Sequence, residues 1–277
     1  MKKRSVKPVS TNLNKKVIVV GLGEIGTPIL QLVTKAIPAV GYDINQKLMD
    51  KKKFEKLEKL ETSFLHICIP FSKKFIENII SLYKKFKPEG IVIHSTISPG
   101  TTSKLQSLLA IPVIYSATRG VHKRMLYDLK RYVKFYAIVP TAPRSKWASF
   151  TYSSLMKQCG VKTKKMSNPL TLELAKIVVD TSYYGWLINY AQLSNMIARE
   201  HRVDYDEMWS FADEIHKYLG NRPKMFPGFI GGHCIVPNLD LIHNQTLDLI
   251  KKLNDAYAKK VKDAKSIAKN TNQNNLK

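Results

Sequence analysis

From residue 16 to about 165, short runs rich in β-branched residues alternate with longer amphipathic stretches. That alternation is the pattern of βαβ units closing a parallel sheet. Strands are predicted at 16–20, 38–42, 64–69, 91–94, 113–115, 135–139 and 161–164, with helices at 24–35, 46–60, 73–86, 102–109 and 144–158. The texture changes near Ser167. Residues 170–201 contain no proline and no strand-like alternation, only Gly185 among helix formers, and predict one long helix. A second helix follows, with Asp204 or Asp206 as its cap and Leu219-Gly220 as its end. Pro223, Pro227, Gly228, Gly231 and Gly232 then mark a loop, and 239–268 is helical in pattern again. The predicted organisation is a basic tail at 1–14, a doubly wound α/β domain at 15–166, an all-helical domain at 167–269, and a polar tail at 270–277 that is expected to fray.

One loop gives the first half a chemistry. Gly21-Leu22-Gly23-Glu24-Ile25-Gly26 follows the first strand directly and opens a helix, the context a dinucleotide fingerprint requires. Gly21 suits the tight turn, Gly23 the close approach of a pyrophosphate, and Gly26 the packing of helix on strand. Asp43 stands about 20 residues beyond, at the end of the second strand, where a carboxylate binds ribose hydroxyls and repels a 2′-phosphate. The expected cofactor is therefore NAD rather than NADP, held by Gly21, Gly23, Glu24, Ile25, Gly26 and Asp43. Pro70 and Thr96, at the ends of the third and fourth strands, complete the set, because ligands of open α/β sheets collect at that edge. The domain reads as a Rossmann domain. The bland alternative is a chance glycine turn with a helix-capping aspartate.

Composition narrows the setting. The 277 residues are 44% hydrophobic, in runs too short to span a membrane. The amino terminus lacks the apolar stretch of a secretory signal. Cys68, Cys159 and Cys234 form no CxxC and no metal-ligand cluster, which suits a reducing compartment, and a cytoplasmic location is expected. Lys and Arg number 45 against 21 Asp and Glu, for a net charge of +24. Such a field attracts anions. The lysines are spread along helical stretches as solvated faces, and no aromatic-interleaved basic motif points to nucleic acid. Taken alone, Cys234 reads as a small buried hydrophobe as readily as a nucleophile, and Lys176 as a solvated helix lysine.

Four segments change that balance. Gly21-Leu22-Gly23-Glu24-Ile25-Gly26-Thr27-Pro28, Ser95-Thr96-Ile97-Ser98-Pro99-Gly100-Thr101-Thr102, Glu173-Leu174-Ala175-Lys176 and Gly231-Gly232-His233-Cys234 occur in this order. Together they resemble the nucleotide-sugar dehydrogenases of the UDP-glucose/GDP-mannose dehydrogenase family, nearest in wording to the UDP-N-acetylmannosamine branch. The resemblance spans residues 15–250. It implies a Rossmann domain, a central helical dimerisation domain and a third, nucleotide-binding domain. It implies oxidation of an alcohol to an aldehyde, capture by a cysteine, oxidation to a thioester and hydrolysis, with two NAD consumed. By resemblance Cys234 is the nucleophile, a role that splits a difficult step in two. Lys176 stabilises the alkoxide, Thr96 helps hold the hydrolytic water, and Gly231 and Gly232 line the substrate. His233 is read as a shape or hydrogen-bonding residue. The long helix implies a homodimer, although Val178, Val179, Leu187 and Leu193 fit an intrachain core equally well.

Three departures from the family matter. Its asparagine four positions beyond the lysine is Asp180 here, its aspartate four positions beyond the cysteine is Asn238, and the glutamate of its Ser/Asn-Pro-Glu segment corresponds to Thr118. An amide is no general base, so the hydrolysis half is lost here unless Asp180 compensates. After Asn238 too little sequence remains for a third domain. Either the substrate is smaller, a separate chain supplies that domain, or this is a lone module. Arg119, His122, Lys123 and Arg124 offer an anion anchor, or else a solvated basic loop. The leading expectation is an NAD-dependent oxidoreductase acting on the CH–OH group of an anionic sugar. Two rivals stay open: a two-electron 3-hydroxyacid-type dehydrogenase using Lys176, and an NAD-binding module that has lost turnover and engages a partner or nucleic acid.

Overall fold

The structure, a computed structural model, describes residues 14–219, 227–232, 234–241 and 245–274. Gly220 and His233 lie outside them, as do the tail 1–13 and the last three residues. The chain divides into two compact units, Met1–Ala175 and Lys176–Lys277.

The first unit is built on a seven-stranded sheet in the order β2-β1-β3-β4-β5-β6-β7. Its strands are β1 (Lys15–Val20), β2 (Ala39–Tyr42), β3 (Glu61–Ile67), β4 (Gly90–Ile93), β5 (Val113–Tyr115), β6 (Lys134–Ile138) and β7 (Thr163–Lys165). Helices α1 (Gly26–Val33), α2 (Lys51–Lys56), α3 (Phe75–Phe86), α4 (Thr101–Leu108), α5 (Met125–Arg131) and α6 (Ser145–Gln158) intervene, and α7 (Pro169–Leu174) follows. The strands read as continuous apolar runs because both faces of the sheet are covered. Val17 and Val19 pack with Ile29, Leu32 and Tyr152 on one side, while Ile18 and Val20 pack with Ile67, Ile79 and Leu105 on the other.

Two strands depart from the parallel pattern that the sequence predicts. β6 runs antiparallel to β5, and β7 is again parallel to β6. A parallel successor needs a crossover from one end of the sheet to the other, and residues 116–133 make none. They leave and re-enter at the carboxyl edge, so the whole excursion, with α5 in it, lies where ligands of such sheets collect. α5 was hidden in the sequence by the basic segment that leads into it.

The long helix predicted over 170–201 is three pieces. Asn168 caps α7 by accepting from Thr171 N–H at 2.9 Å. Residues Ala175–Ser182 then widen into a π-helix, where Ser182 Oγ donates to Ile177 O five residues back at 2.7 Å. α8 (Tyr183–Glu200) resumes the normal turn. π-turns of this kind concentrate at functional sites. In the second unit α9 (Tyr205–Leu219) is capped by Asp204, whose Oδ1 accepts Glu207 N–H at 2.7 Å. α10 (Val236–Leu239) and α11 (Gln245–Asn274) complete it, α11 reaching into the stretch read as a polar tail. Gly185, the one interruption in the helix formers, lies against Ile235 and Ile250, and an added Cβ would meet their methyls at 3.1 and 3.3 Å.

Two of the motif segments are joined by one carboxylate. Glu173 is fully buried, and its oxygens accept from Gly100 N–H at 2.6 Å, Thr102 N–H at 3.0 Å and Thr102 Oγ at 2.6 Å. These are orphan donors of the first turn of α4, where a negative charge also meets the helix dipole. Glu173→Ala is expected to lower stability by about 2–3 kcal/mol, the scale of charge-assisted bonds lost at a buried site. Urea unfolding measures it, and an unchanged midpoint would refute the capping role.

Candidate functional site

The glycine loop leaves β1 at its carboxyl end. Gly21 has a φ of +85°, and a Cβ on it would stand 2.9 Å from Cys68 O. A Cβ on Gly26 would stand 1.6 Å from Gly21 O, so a side chain there is incompatible with the turn. Around Gly23 nothing lies within 4 Å of the Cβ position, which leaves backbone open to an incoming group. Ile25 forms the cap position of α1. Asp43 fastens the loop from the side: its Oδ2 accepts Leu22 N–H at 2.7 Å and its Oδ1 accepts Asn45 N–H at 2.8 Å. Each oxygen keeps a further lone pair for a hydroxyl. Next to it Ile44 is 96% exposed. Pro70 is exposed after β3, and Thr96 is half-buried beyond β4, beside Ser95, whose Oγ donates to Ile69 O at 2.5 Å.

The basic loop after β5 is only partly available to a ligand. Arg119 Nη2 donates to Val133 O at 2.8 Å, with its guanidinium over the rings of Phe135 and Tyr132. Arg124 Nε donates to Asp128 Oδ2 at 3.1 Å. That buried carboxylate also accepts Val121 N–H at 2.9 Å, and these bonds hold it below the usual carboxylate range. His122 Nδ1 lies 2.7 Å from Glu24 Oε2 and so ties this loop to the glycine loop. Lys123 is exposed. A groove of about 510 Å³ is lined by Pro28, Gln31, His122, Lys123, Tyr127 and Lys130, against the outer side of α1.

Beneath the carboxyl edge lies a polar cluster that the sequence did not reveal. Lys134 is buried, and its Nζ donates to Ser116 O at 3.0 Å, Ala117 O at 3.3 Å and Thr118 Oγ at 3.1 Å. Thr118, at the place of the family glutamate, is therefore a lysine acceptor. His94 Nδ1 faces Ser116 O at 3.2 Å and must donate to it, so its Nε2 accepts from His66 Nδ1 at 2.8 Å. Burial, and then the Lys134 charge, push His66 down to about 3 and His94 well below the ordinary histidine value. A lysine opening a predicted strand was the one available signal.

The three cysteines sort by environment. Burial pushes the Cys68 thiol up to about 12 and the Cys159 thiol up to about 11. Neither is a nucleophile at neutral pH, because the thiolate is the reactive form. Cys234 is exposed. It follows Gly231 and Gly232, both exposed, with Gly232 at a φ of +73° and no atom within 4 Å of its Cβ position. Asn238 Nδ2 donates to Cys234 O at 2.6 Å, a bond that a carboxylate at this position could not make. On the π-helix, Lys176 Nζ stands 2.5 Å from Asp180 Oδ2, the lysine side chain 13% and the aspartate 41% exposed. The charge is uneven too. Residues 1–175 hold 31 Lys and Arg against 10 Asp and Glu, and residues 176–277 hold 14 against 11. The first unit carries nearly all of the excess.

No protein-family model and no curated protein matches the chain. Solved structures do. UDP-D-ManNAc dehydrogenase from Pyrococcus horikoshii superposes with a TM-score of 0.71 at 19% identity, over 87% of this chain and 68% of its own. The UDP-N-acetyl-mannosamine dehydrogenase of Staphylococcus aureus gives 0.68 at 19% identity, over 91% and 70%. The 3-hydroxyisobutyrate dehydrogenase of Mycobacterium tuberculosis gives 0.61 at 14% identity, over 90% of this chain and 94% of its own. The fold is that of these dehydrogenases: a Rossmann-type sheet followed by a helical region.

The histidine pair fixes a pH dependence. Both are neutral when folded and protonate near 6.5 when unfolded, so the unfolded state binds the extra protons in acid. Stability is complete above about pH 6.5 and is expected to fall as pH drops below it, by about 2 kcal/mol per histidine at pH 5. Denaturant titrations at pH 7 and pH 5 check this, and His66→Asn should flatten the slope.

Proposed function

We propose, from a fold shared with nucleotide-sugar dehydrogenases, that this chain is an NAD-dependent oxidoreductase. It oxidises the CH–OH group of an anionic, nucleotide-linked sugar to the acid through a thioester on Cys234. The observation that carries the reading is the sorting of the cysteines: two thiols disabled by burial, and one exposed in a glycine-rich loop. The open backbone at Gly23 and the acceptors of Asp43 support NAD, since the glycine loop suits a pyrophosphate and the carboxylate suits an unphosphorylated ribose. NAD, when bound, supplies the hydride acceptor. Glu24 would set a negative charge beside the pyrophosphate, and His122 Nδ1 at 2.7 Å holds that carboxylate to the loop after β5. The positive field of the dinucleotide unit favours an anionic ligand of either kind.

The chain's own groups divide the work as follows. Lys176 holds the alkoxide of the reacting alcohol, and Asp180 takes up its proton. A first hydride, given up to bound NAD, would leave the aldehyde. The Cys234 sulfur then adds to its carbon as the thiol proton passes to the oxygen, giving a thiohemiacetal whose own hydride would pass to a second NAD. Loss of hydride from that carbon leaves the thioester, and water then cleaves the C–S bond and returns the thiol. Asn238 is spent on the Cys234 carbonyl, so Asp180 is the carboxylate left to activate the water, with Thr96 in its family role. Substrate contacts are assigned to Lys123, His122, Gly231 and Gly232, with Arg119 and Arg124 shaping the loop. A second reading, a two-electron hydroxyacid dehydrogenase working through Lys176 alone, is favoured by the nearly full coverage of the Mycobacterium tuberculosis enzyme.

The deciding experiment follows NADH formation across nucleotide sugars and small hydroxy acids, with aldehyde and acid products separated. Wild type is expected to yield acid with NAD preferred to NADP, and Cys234→Ser to stop at the aldehyde. Acid formed by Cys234→Ser at the wild-type rate would exclude the thioester route.

The same reading includes a homodimer. On α8, Tyr183, Trp186, Tyr190, Leu193 and Ile197 repeat at alternating three- and four-residue spacing and are 37–62% exposed, an apolar seam of the kind that packs on a second helix. Light scattering should report twice the 31.6 kDa chain mass for wild type. Tyr190→Glu together with Leu193→Glu is expected to give the monomer, and a monomeric wild type would remove the dimer from the reading.

A further inference from the structure

The loop that presents Cys234 is held by side chains that no motif singles out. Asn189, Gln192 and Asn254 are 1%, 0% and 2% exposed, between α8 and α11, where apolar residues are the usual filling. Asn254 Oδ1 accepts Ile230 N–H at 2.7 Å while its Nδ2 donates to Ile230 O at 3.2 Å, so one side chain satisfies both main-chain groups of one residue, as a neighbouring strand would. Gln192 Nε2 donates to Gly228 O at 2.6 Å and to Asn254 Oδ1 at 3.2 Å. Asn189 Nδ2 donates to Gln192 Oε1 at 2.7 Å and so fixes which way that amide points. Tyr257 hydroxyl donates to Pro227 O at 2.9 Å. Beyond the cysteine, Ile235 is buried with Leu239 and Ile250, against the bare backbone of Gly185.

We propose that Asn254 and Gln192 are positioning residues for Cys234: their buried amides clamp residues 228–230 so that the exposed thiol is presented from a fixed backbone. The proposal rests on the reading of Cys234 as the nucleophile. Burying three amides is unfavourable unless each is bonded, so an apolar core would serve simple stability at least as well. What the ladder adds is a single position for the loop. Covalent capture needs that, because a displacement of about 1 Å at the reacting atom costs on the order of 10²-fold in rate.

Hydrogen exchange on the full chain, read by mass spectrometry, tests the clamp without requiring turnover. In Asn254→Leu, exchange of the Ile230 amide is expected to rise about tenfold or more, the effect of one lost hydrogen bond, while α8 and α11 keep their protection. Asn254→Asp keeps the acceptor for Ile230 N–H and loses the donor to Ile230 O, so it should fall between wild type and Asn254→Leu and guards against a variant that does not fold. With a substrate in hand, kcat should fall about tenfold or more in Asn254→Leu with the KM for NAD within about twofold. Unchanged loop exchange overturns the proposal, and so does a loss of protection shared equally by loop and helices. Wild-type protein that makes no acid yet shows the local exchange effect would sink the thioester reading and leave the clamp standing.

Discussion

The Rossmann-type unit depends on a contact between backbone and backbone. Gly26 comes so near the carbonyl of Gly21 that a methyl group has no room, and that closeness lets α1 start directly behind β1 with its first amides turned to the loop. Asp43 then holds the loop from β2, and His122 ties Glu24 to the excursion after β5. Elements distant in sequence are thereby brought to one edge of the sheet. The edge itself is set by strand direction: because β6 returns antiparallel, residues 116–133 never leave it.

What the sequence disclosed follows from which interactions are periodic. The strands β1 to β6 lie within a few residues of where β-branched runs predict them, since a strand covered on both faces leaves an apolar signature. By contrast, β7 (Thr163–Lys165) is exposed at two of its three positions and overlaps the predicted run only in part. The glycine loop was legible because its constraint is steric and local. The π-segment was not, because Ala175–Ser182 differs from an α-helix by a fraction of a residue per turn, and Ile177, Val178 and Val179 suit either. Nor were Lys134, His66 and His94, whose partners Ser116 and Thr118 come from another strand's end. Asn254 and Gln192 looked like ordinary polar helix positions. Only the fold puts them inward.

In the second unit, burial and exposure are distributed in an unusual way around one residue. Amides are buried where hydrocarbon would do, and a thiol is exposed beside glycines that leave space about it. The other two cysteines show the opposite arrangement, with Cys159 buried, Cys68 half-buried and both thiols pushed up by desolvation. Reactivity is thus governed less by the presence of a sulfur than by what surrounds it. Asn238 belongs to the same logic: the amide that removes a base from the site supplies a donor to the cysteine's own carbonyl.

Glu173 shows where the first unit ends as a physical object. The change of texture at Ser167 marks where the sequence stops alternating, yet the carboxylate that satisfies Gly100 and Thr102 comes later. A chain cut at 166 would lose α7 and strand two buried amides at the head of α4. The first unit therefore runs past the change of texture to include Glu173, and α7 belongs to the sheet it leaves.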